Sequence, residues 1–141
     1  MTDTPARPMA PPATIGDLAL EVRSKNAGPF WVTMELFMRD ADGYRIVADE
    51  TFLNEQVIAG LYRVDARTIQ VFRIPSLNVV KISFPRPVTQ GSLRDRDMHA
   101  GQHHVPLAVL PVPATSPATS PATSPATSPA TSPATSPATP P

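Results

Sequence analysis

All three histidines of the chain fall in one short run, Gly91-Ser92-Leu93-Arg94-Asp95-Arg96-Asp97-Met98-His99-Ala100-Gly101-Gln102-His103-His104. The same run holds two carboxylates, two guanidiniums and an amide. Imidazole titrates near neutrality and a neighbouring carboxylate can orient it, so His104 or His99 beside Asp97 has the makings of a general base. His99 and His103 are spaced to share one face of a helical turn, and with Asp95 or Asp97 they could offer nitrogen and oxygen ligands to a divalent metal. Gly101 disfavours a helix there and no further ligand stands at a diagnostic spacing, so neither a metal nor a cofactor is assigned. The bland alternative is a polar loop in which Arg94, Asp95, Arg96 and Asp97 pair among themselves at the surface.

A second cluster is Arg23-Ser24-Lys25-Asn26-Ala27-Gly28-Pro29. Two cations followed by free backbone amides and a glycine can hold a carboxylate or phosphate. Helix termination accounts for the same residues without a ligand, since cations suit a helix C-terminus and Asn-Ala-Gly-Pro closes one. Arg73, Lys81 and Arg86 lie on or just after expected strands and would complete an anion pocket if they converged with Arg23 or Lys25. Other templates fail: the sequence has no glycine-rich phosphate loop, dinucleotide fingerprint, nucleophile elbow or helical histidine pair flanking a glutamate.

The elements that must position these groups follow from periodicity. Thr14 caps a helix whose stripe is Ile15, Leu18, Ala19 and Val22, with Glu21 and Lys25 at ion-pair spacing and Asn26 to Pro29 as its end. Phe30 to Met38 alternates as a strand with a buried face. Asp40 to Gly43 is a turn, and Tyr44 to Glu50 reads as a short helix or a poorly patterned strand, with the helix preferred. Asn54 caps a second helix carrying Val57, Ile58, Leu61 and Tyr62 on one side. Strands are expected at Thr68–Ile74 and Asn78–Phe84, joined through Pro75-Ser76-Leu77, and a last one from about Val105 to Leu110. Pro85 to His104 has little regular pattern, long for a connection in so small a domain, and is therefore functional or mobile. The expected class is α+β: a two-layer sandwich with a mainly antiparallel four-stranded sheet and helices on one face, with a ferredoxin-like order as the natural guess and a four-stranded sheet of different strand order as the runner-up.

Composition bounds the rest. Of 141 residues 19 are proline, and 13 of these lie outside residues 14–112, so the excess belongs to the ends and the middle reads as one small α+β domain. Residues 114–137 repeat Ala-Thr-Ser-Pro six times. Such a unit cannot build a core, so a disordered leader (1–13) and a disordered repeat tail (113–141) are expected. The absence of cysteine excludes disulfides and thiolate chemistry, and 12 basic against 12 acidic side chains argue against a nucleic-acid footprint. With no apolar run of membrane-spanning length and no apolar segment near Met1, no membrane association and a cytoplasmic location are expected. A homodimer through an edge strand is compatible with a small sheet.

Four stretches carry a resemblance: Arg23-Ser24-Lys25-Asn26-Ala27-Gly28-Pro29-Phe30, Ile58-Ala59-Gly60-Leu61-Tyr62, Phe84-Pro85-Arg86-Pro87 and Asp95 to Leu107. Over about Ile15 to Val112 the chain resembles the bacterial family called domain of unknown function 4387. The resemblance implies a ferredoxin-like α+β domain, alone or joined to a larger protein similar to the acyclic terpene utilisation protein AtuA, near organic-acid and acyl-CoA catabolism. It implies no catalytic assignment. Arg23, Lys25, Asn26, Arg96, Asp97, Gln102 and His104 fit the family pattern. The family usually has Tyr and Gln where this chain has His99 and His103, so a three-histidine metal set would be peculiar to this chain. The leading expectation is an accessory subunit for an AtuA-like protein, in which Arg23, Lys25 and Arg96, with Asn26 and Gln102, bind a small carboxylate or acyl thioester and His104, oriented by Asp97, moves a proton. The competing expectations are a stand-alone enzyme for a small organic acid, with a metal on Asp97, His99 and His103, and a purely structural interaction module.

Overall fold

The structure, a computed structural model, describes residues 10–114. The leader, up to residue 9, and the repeat tail, from residue 115, lie outside the described residues. The elements run α1 (Ile15–Leu18), β1 (Ala19–Asn26), β2 (Trp31–Met38), α2 (Ala41–Val47), α3 (Glu55–Tyr62), β3 (Gln70–Ile74), β4 (Val79–Pro85) and α4 (Val105–Ala108). Every strand pairing is antiparallel and the sheet order is β1-β2-β4-β3, so the fold is α+β with a four-stranded antiparallel sheet. Two hairpins with two helices between them do not follow the strand-helix-strand-strand-helix-strand order of a ferredoxin-like unit, and that expectation is corrected. None of the described helices is long and apolar enough to cross a membrane.

Three further expectations are overturned. Ala41 to Gly43, expected within a turn, open α2, whose start is capped by the Asp40 carboxylate accepting the Gly43 N–H at 2.7 Å. The first helix ends after a single turn, although its start is as expected: Thr14 caps Asp17 and the Asp17 carboxylate accepts the Thr14 N–H at 2.8 Å. From Ala19 the chain is extended, because the ladder with β2 runs from Ala19 opposite Met38 to Asn26 opposite Val32 and offers more than an isolated second turn would. Asn26 to Phe30 is therefore a hairpin connection and not a helix stop; Ala27 N–H donates to the Trp31 carbonyl at 2.9 Å and Gly28 takes φ 82°, a backbone region that favours glycine. The last expected strand, Val105 to Leu110, is instead the helical turn α4. Pro106 suits a first helical turn because its missing N–H would have no partner there. Beyond it the chain meets its own start: Ile15 N–H donates to Leu110 O at 3.0 Å and Val112 N–H to Ala13 O at 2.8 Å.

Alternation gives the sheet two unlike faces. One face presents Val32, Met34 and Leu36 from β2 and Val80, Ile82 and Phe84 from β4, all fully buried against Ile15, Val47, Leu53, Ile58 and Leu107 of the helical layer. Ser24 and Asn26 share this face at the end of β1, because they stand opposite Met34 and Val32. The opposite face carries Arg23, Lys25, Thr33, Glu35, Phe37 and Phe72. Phe84 stacks at a tilt on Tyr62, ring centroids 5.0 Å apart, and ties β4 to α3. Phe84→Ala is expected to cost about 3–5 kcal/mol by urea denaturation, whereas Phe72→Ala, on a side chain of a residue 46% exposed, stays within about 0.5 kcal/mol.

Candidate functional site

Pro85 and Pro87 cannot donate to a ladder, so the sheet ends around Arg86 and the chain leaves β4 as an irregular loop. Arg86 N–H still donates to Phe30 O at 2.8 Å, which directs the side chain back under that loop. Its guanidinium donates to the Val88 carbonyl (3.0 Å), the Asn26 amide oxygen, the Asp95 carboxylate (2.8 Å) and the Asp97 carbonyl (3.1 Å). The side chains of Arg86 and Asp95 are only 1% and 3% exposed. A buried cation is tolerable only when its donors are met, and here the loop meets them. Asp95 also accepts the Gly91 N–H (2.8 Å) and the Asp97 N–H (3.0 Å). The Gly91 N–H is the chief cause that holds Asp95 below the ordinary carboxylate value of 3.8, with the Asp97 N–H and Arg86 adding to it.

The next shell is built on Asp97. Its carboxylate accepts the Gly101 and Gln102 N–H groups at 2.9 and 2.8 Å and lies 2.7 Å from Nδ1 of His103. Burial alone would raise the Asp97 carboxyl, but the Gln102 N–H, the His103 ring and the Gly101 N–H outweigh it and hold it below 3.8. Tyr62 of α3 fixes the histidine backbone by donating its hydroxyl to the His103 carbonyl at 2.6 Å. Arg86, Pro87, Val88, Arg94, Asp95, Arg96, Asp97 and His103 line an open cavity of about 250 Å³. Asp95 is paired with Arg86 and Asp97 is hydrogen-bonded to the His103 ring, so with that ring neutral the wall carries three guanidiniums against two carboxylates, and the exposed Arg94 and Arg96 have no ion-pair partner among the described residues. The arrangement can hold a small anion beside an oriented imidazole.

The expected site residues divide between two sides of β1. Arg23 and Lys25 lie on the opposite face, 2.8 and 3.2 Å from the two oxygens of Glu35, with Arg23 also 4.8 Å over the Phe37 ring. Burial would raise Glu35, yet these two cations bring it below its ordinary value. Neither lines the cavity to which Arg96 belongs. Asn26 is on the loop side, where it anchors the segment by donating to Met98 O at 2.7 Å and accepting from Arg86. Gln102 contributes its backbone N–H to Asp97, and its side chain is exposed.

His104 is not the imidazole that Asp97 orients. Its N–H donates to Ser24 Oγ at 3.1 Å and its Nδ1 lies 3.2 Å from the same oxygen. The Ser24 hydroxyl proton goes to the Ala100 carbonyl, so His104 Nδ1 is the donor in its contact with Ser24. His104 thus secures the loop to β1. His99 is exposed, and no group of three His, Cys, Asp or Glu side chains among the described residues could hold a metal, so the Asp97, His99 and His103 set is not assembled. The other expected cations do not join the loop: Arg73 donates to the Ala48 and Leu53 carbonyls at 2.8 Å each, and Lys81 shares the far face with Arg23 and Lys25, across from the Glu35 that those two neutralise.

Sequence reasoning missed the roles of Ser24, Arg86 and His103. Strand parity would have found Ser24, since it shares the face of Val22 once residues 19–26 are read as a strand. The Pro-Arg-Pro context of Arg86, directly after an apolar strand, was the available signal for an inward-turned cation. Replacing Arg86 by Met is expected to destabilise the domain more than any substitution at Arg94 or Arg96, because it leaves the buried Asp95 carboxylate facing no cation. Arg86→Met with Asp95→Asn should recover part of the loss in a thermal melt. The sign of the pH effect is set by the lowered Asp95 and Asp97. Their contribution is complete above the ordinary value of 3.8 and disappears as pH falls through their lower folded values, so hydrogen exchange of residues 91–104 should rise in that window.

No curated protein and no solved structure matches the chain. Residues 15–111 match the family described as Domain of unknown function (DUF4387), from the first buried residue of α1 through the Pro111 bridge to Thr14, and the chain belongs to that family.

Proposed function

We propose that the domain is a small accessory subunit that binds a small carboxylate, or the acyl end of a thioester, in the loop cavity and works with a larger AtuA-like protein in organic-acid or acyl-CoA catabolism. The observation that carries the binding half is the cavity wall itself, which Arg94 and Arg96 line without an ion-pair partner among the described residues while both carboxylates have hydrogen-bond partners of their own. A cavity of about 250 Å³ accommodates a short acid and not a whole coenzyme, so the remainder of a thioester would rest on a partner. The partnership and the cytoplasmic setting rest on the family resemblance. The oriented Asp97–His103 pair favours one alternative, acid–base chemistry by this chain alone on the same class of acid.

Titration of the full chain with acetate and with sulfate tests the binding half. Arg94→Ala and Arg96→Ala are each expected to weaken binding by about threefold to tenfold, as for loss of one exposed charge-assisted hydrogen bond. Arg23→Ala, on the other side of the sheet, should leave affinity unchanged. Equal loss from Arg23→Ala would show that the anion binds elsewhere. Co-expression with an AtuA-like protein followed by sizing tests the partnership, and two separate peaks would overturn it.

A further inference from the structure

We propose that this cavity takes up one proton with its anion and that the proton is carried on Nε2 of His103. The inference rests on the anion-site reading above and adds to it how the site is regulated and which ligands it prefers.

The hydrogen bonds leave little choice of tautomer. Asp97 is an ionised carboxylate that only accepts, and it lies 2.7 Å from His103 Nδ1, so Nδ1 carries a proton and donates it. In the neutral ring that is the single N–H. Nε2 is then a bare lone pair without a partner among the described residues, and it belongs to a side chain that lines the cavity. An anionic oxygen drawn in by Arg94 and Arg96 meets this lone pair and is repelled. Protonation at Nε2 turns the ring into a donor at both nitrogens, one N–H to Asp97 and the other to the ligand. No bond other than N–H is made, and the proton comes from solvent.

The groups around the ring keep their charge while it changes. Asp95 and Asp97, on the same loop, are held below the ordinary carboxylate value. Arg86 at the end of β4 and the loop arginines Arg94 and Arg96 are cationic throughout the neutral range. Burial pushes the Tyr62 hydroxyl, which faces the ring's own backbone from α3, above its ordinary value. His104, the adjacent imidazole, is turned to Ser24 on β1. Only His103 can therefore exchange a proton against a ligand in this cavity. The favoured class is a small, fully ionised acid, which needs the extra donor. A ligand that presents its own hydroxyl proton to Nε2 would bind without proton uptake.

The test is calorimetric titration of the full chain with acetate and with sulfate between about pH 6 and about pH 8, the span in which histidine ordinarily titrates. Wild-type affinity is expected to fall by up to about tenfold per pH unit toward the alkaline end, with up to about one proton taken up when buffers of different ionisation heat are compared. His103→Gln should bind both anions with a flat profile, and His99→Gln should keep the wild-type slope. The ¹⁵N signal of His103 Nε2 in the wild-type chain gives a readout independent of any variant, and added anion should move it to the protonated position. Binding without pH dependence, a slope that survives His103→Gln, or an Nε2 signal indifferent to the anion would each overturn proton uptake while leaving the anion site intact. No binding at any pH would overturn the anion site and this inference together.

Discussion

A guanidinium enclosed within protein has to find an acceptor for nearly every N–H it owns, and Arg86 finds four only if the chain that follows it wraps around. The loop from Pro87 to Ala100 has little apolar side chain to bury. Leu93 and Met98 are exposed, and Ala100 is its fully buried apolar residue. The loop is thus folded around a charge and not around a hydrophobic core. Val88 and Asp97 give their carbonyls and Asp95 its carboxylate, which fixes three separated points of the loop on one planar group. The remaining acceptor, Asn26, belongs to β1, so the same cation ties the loop to the sheet.

Everything in the cavity inherits its position from that arrangement. The Asp97 backbone is held at both ends, its N–H on Asp95 and its carbonyl on Arg86, so its carboxylate has one direction in which to extend. There it gathers the Gly101 and Gln102 amides and the His103 ring. Ala100 takes a positive φ of 56° so that this turn can close, and its carbonyl is met by Ser24. A non-glycine residue in that conformation is costly unless its surroundings fix it, and here Asp97 before it and Ser24 beneath it do so. The imidazole is placed from two sides, by a chain of contacts that begins at a buried arginine and by Tyr62, which packs on Phe84 of the core and holds the His103 carbonyl.

That architecture also explains what could be read from residues alone. The strands β2, β3 and β4 and the helix α3 were legible because alternation or a capped apolar stripe marks each of them, whereas α2 begins three residues before its expected start because Asp40 to Gly43 fits a turn as well as a helix cap. Residues 15–26 were not, because Ile15, Leu18, Ala19 and Val22 satisfy a helical stripe while Val22, Ser24 and Asn26 against Glu21, Arg23 and Lys25 satisfy alternation equally well. Local pattern was ambiguous there, and the ladder with β2 decided it. In the loop, Asp97 is expected to orient His104, whereas the imidazole beside it is that of His103. Aperiodic chain offers no rule that separates two adjacent histidines. The distinction comes from Tyr62 and Ser24, residues far away in sequence that hold their backbones.

The reading of residues 19–26 as strand or helix decides more than secondary structure, since it sorts the cations. On a helix end Arg23 and Lys25 would flank the same space as Asn26. On a strand they project to the side opposite Ser24 and Asn26, and there they neutralise the mostly covered carboxylate of Glu35. One strand therefore serves two electrostatic tasks with alternate residues: odd positions balance a carboxylate on the open face, even positions fasten the loop that carries the cavity. With Arg23 and Lys25 committed to Glu35, Arg73 to backbone carbonyls and Arg86 to Asp95, attraction for an anion in the loop falls to Arg94 and Arg96. A chain of zero net charge can in this way present a locally positive cavity, because nearly all its compensation is spent elsewhere in the fold.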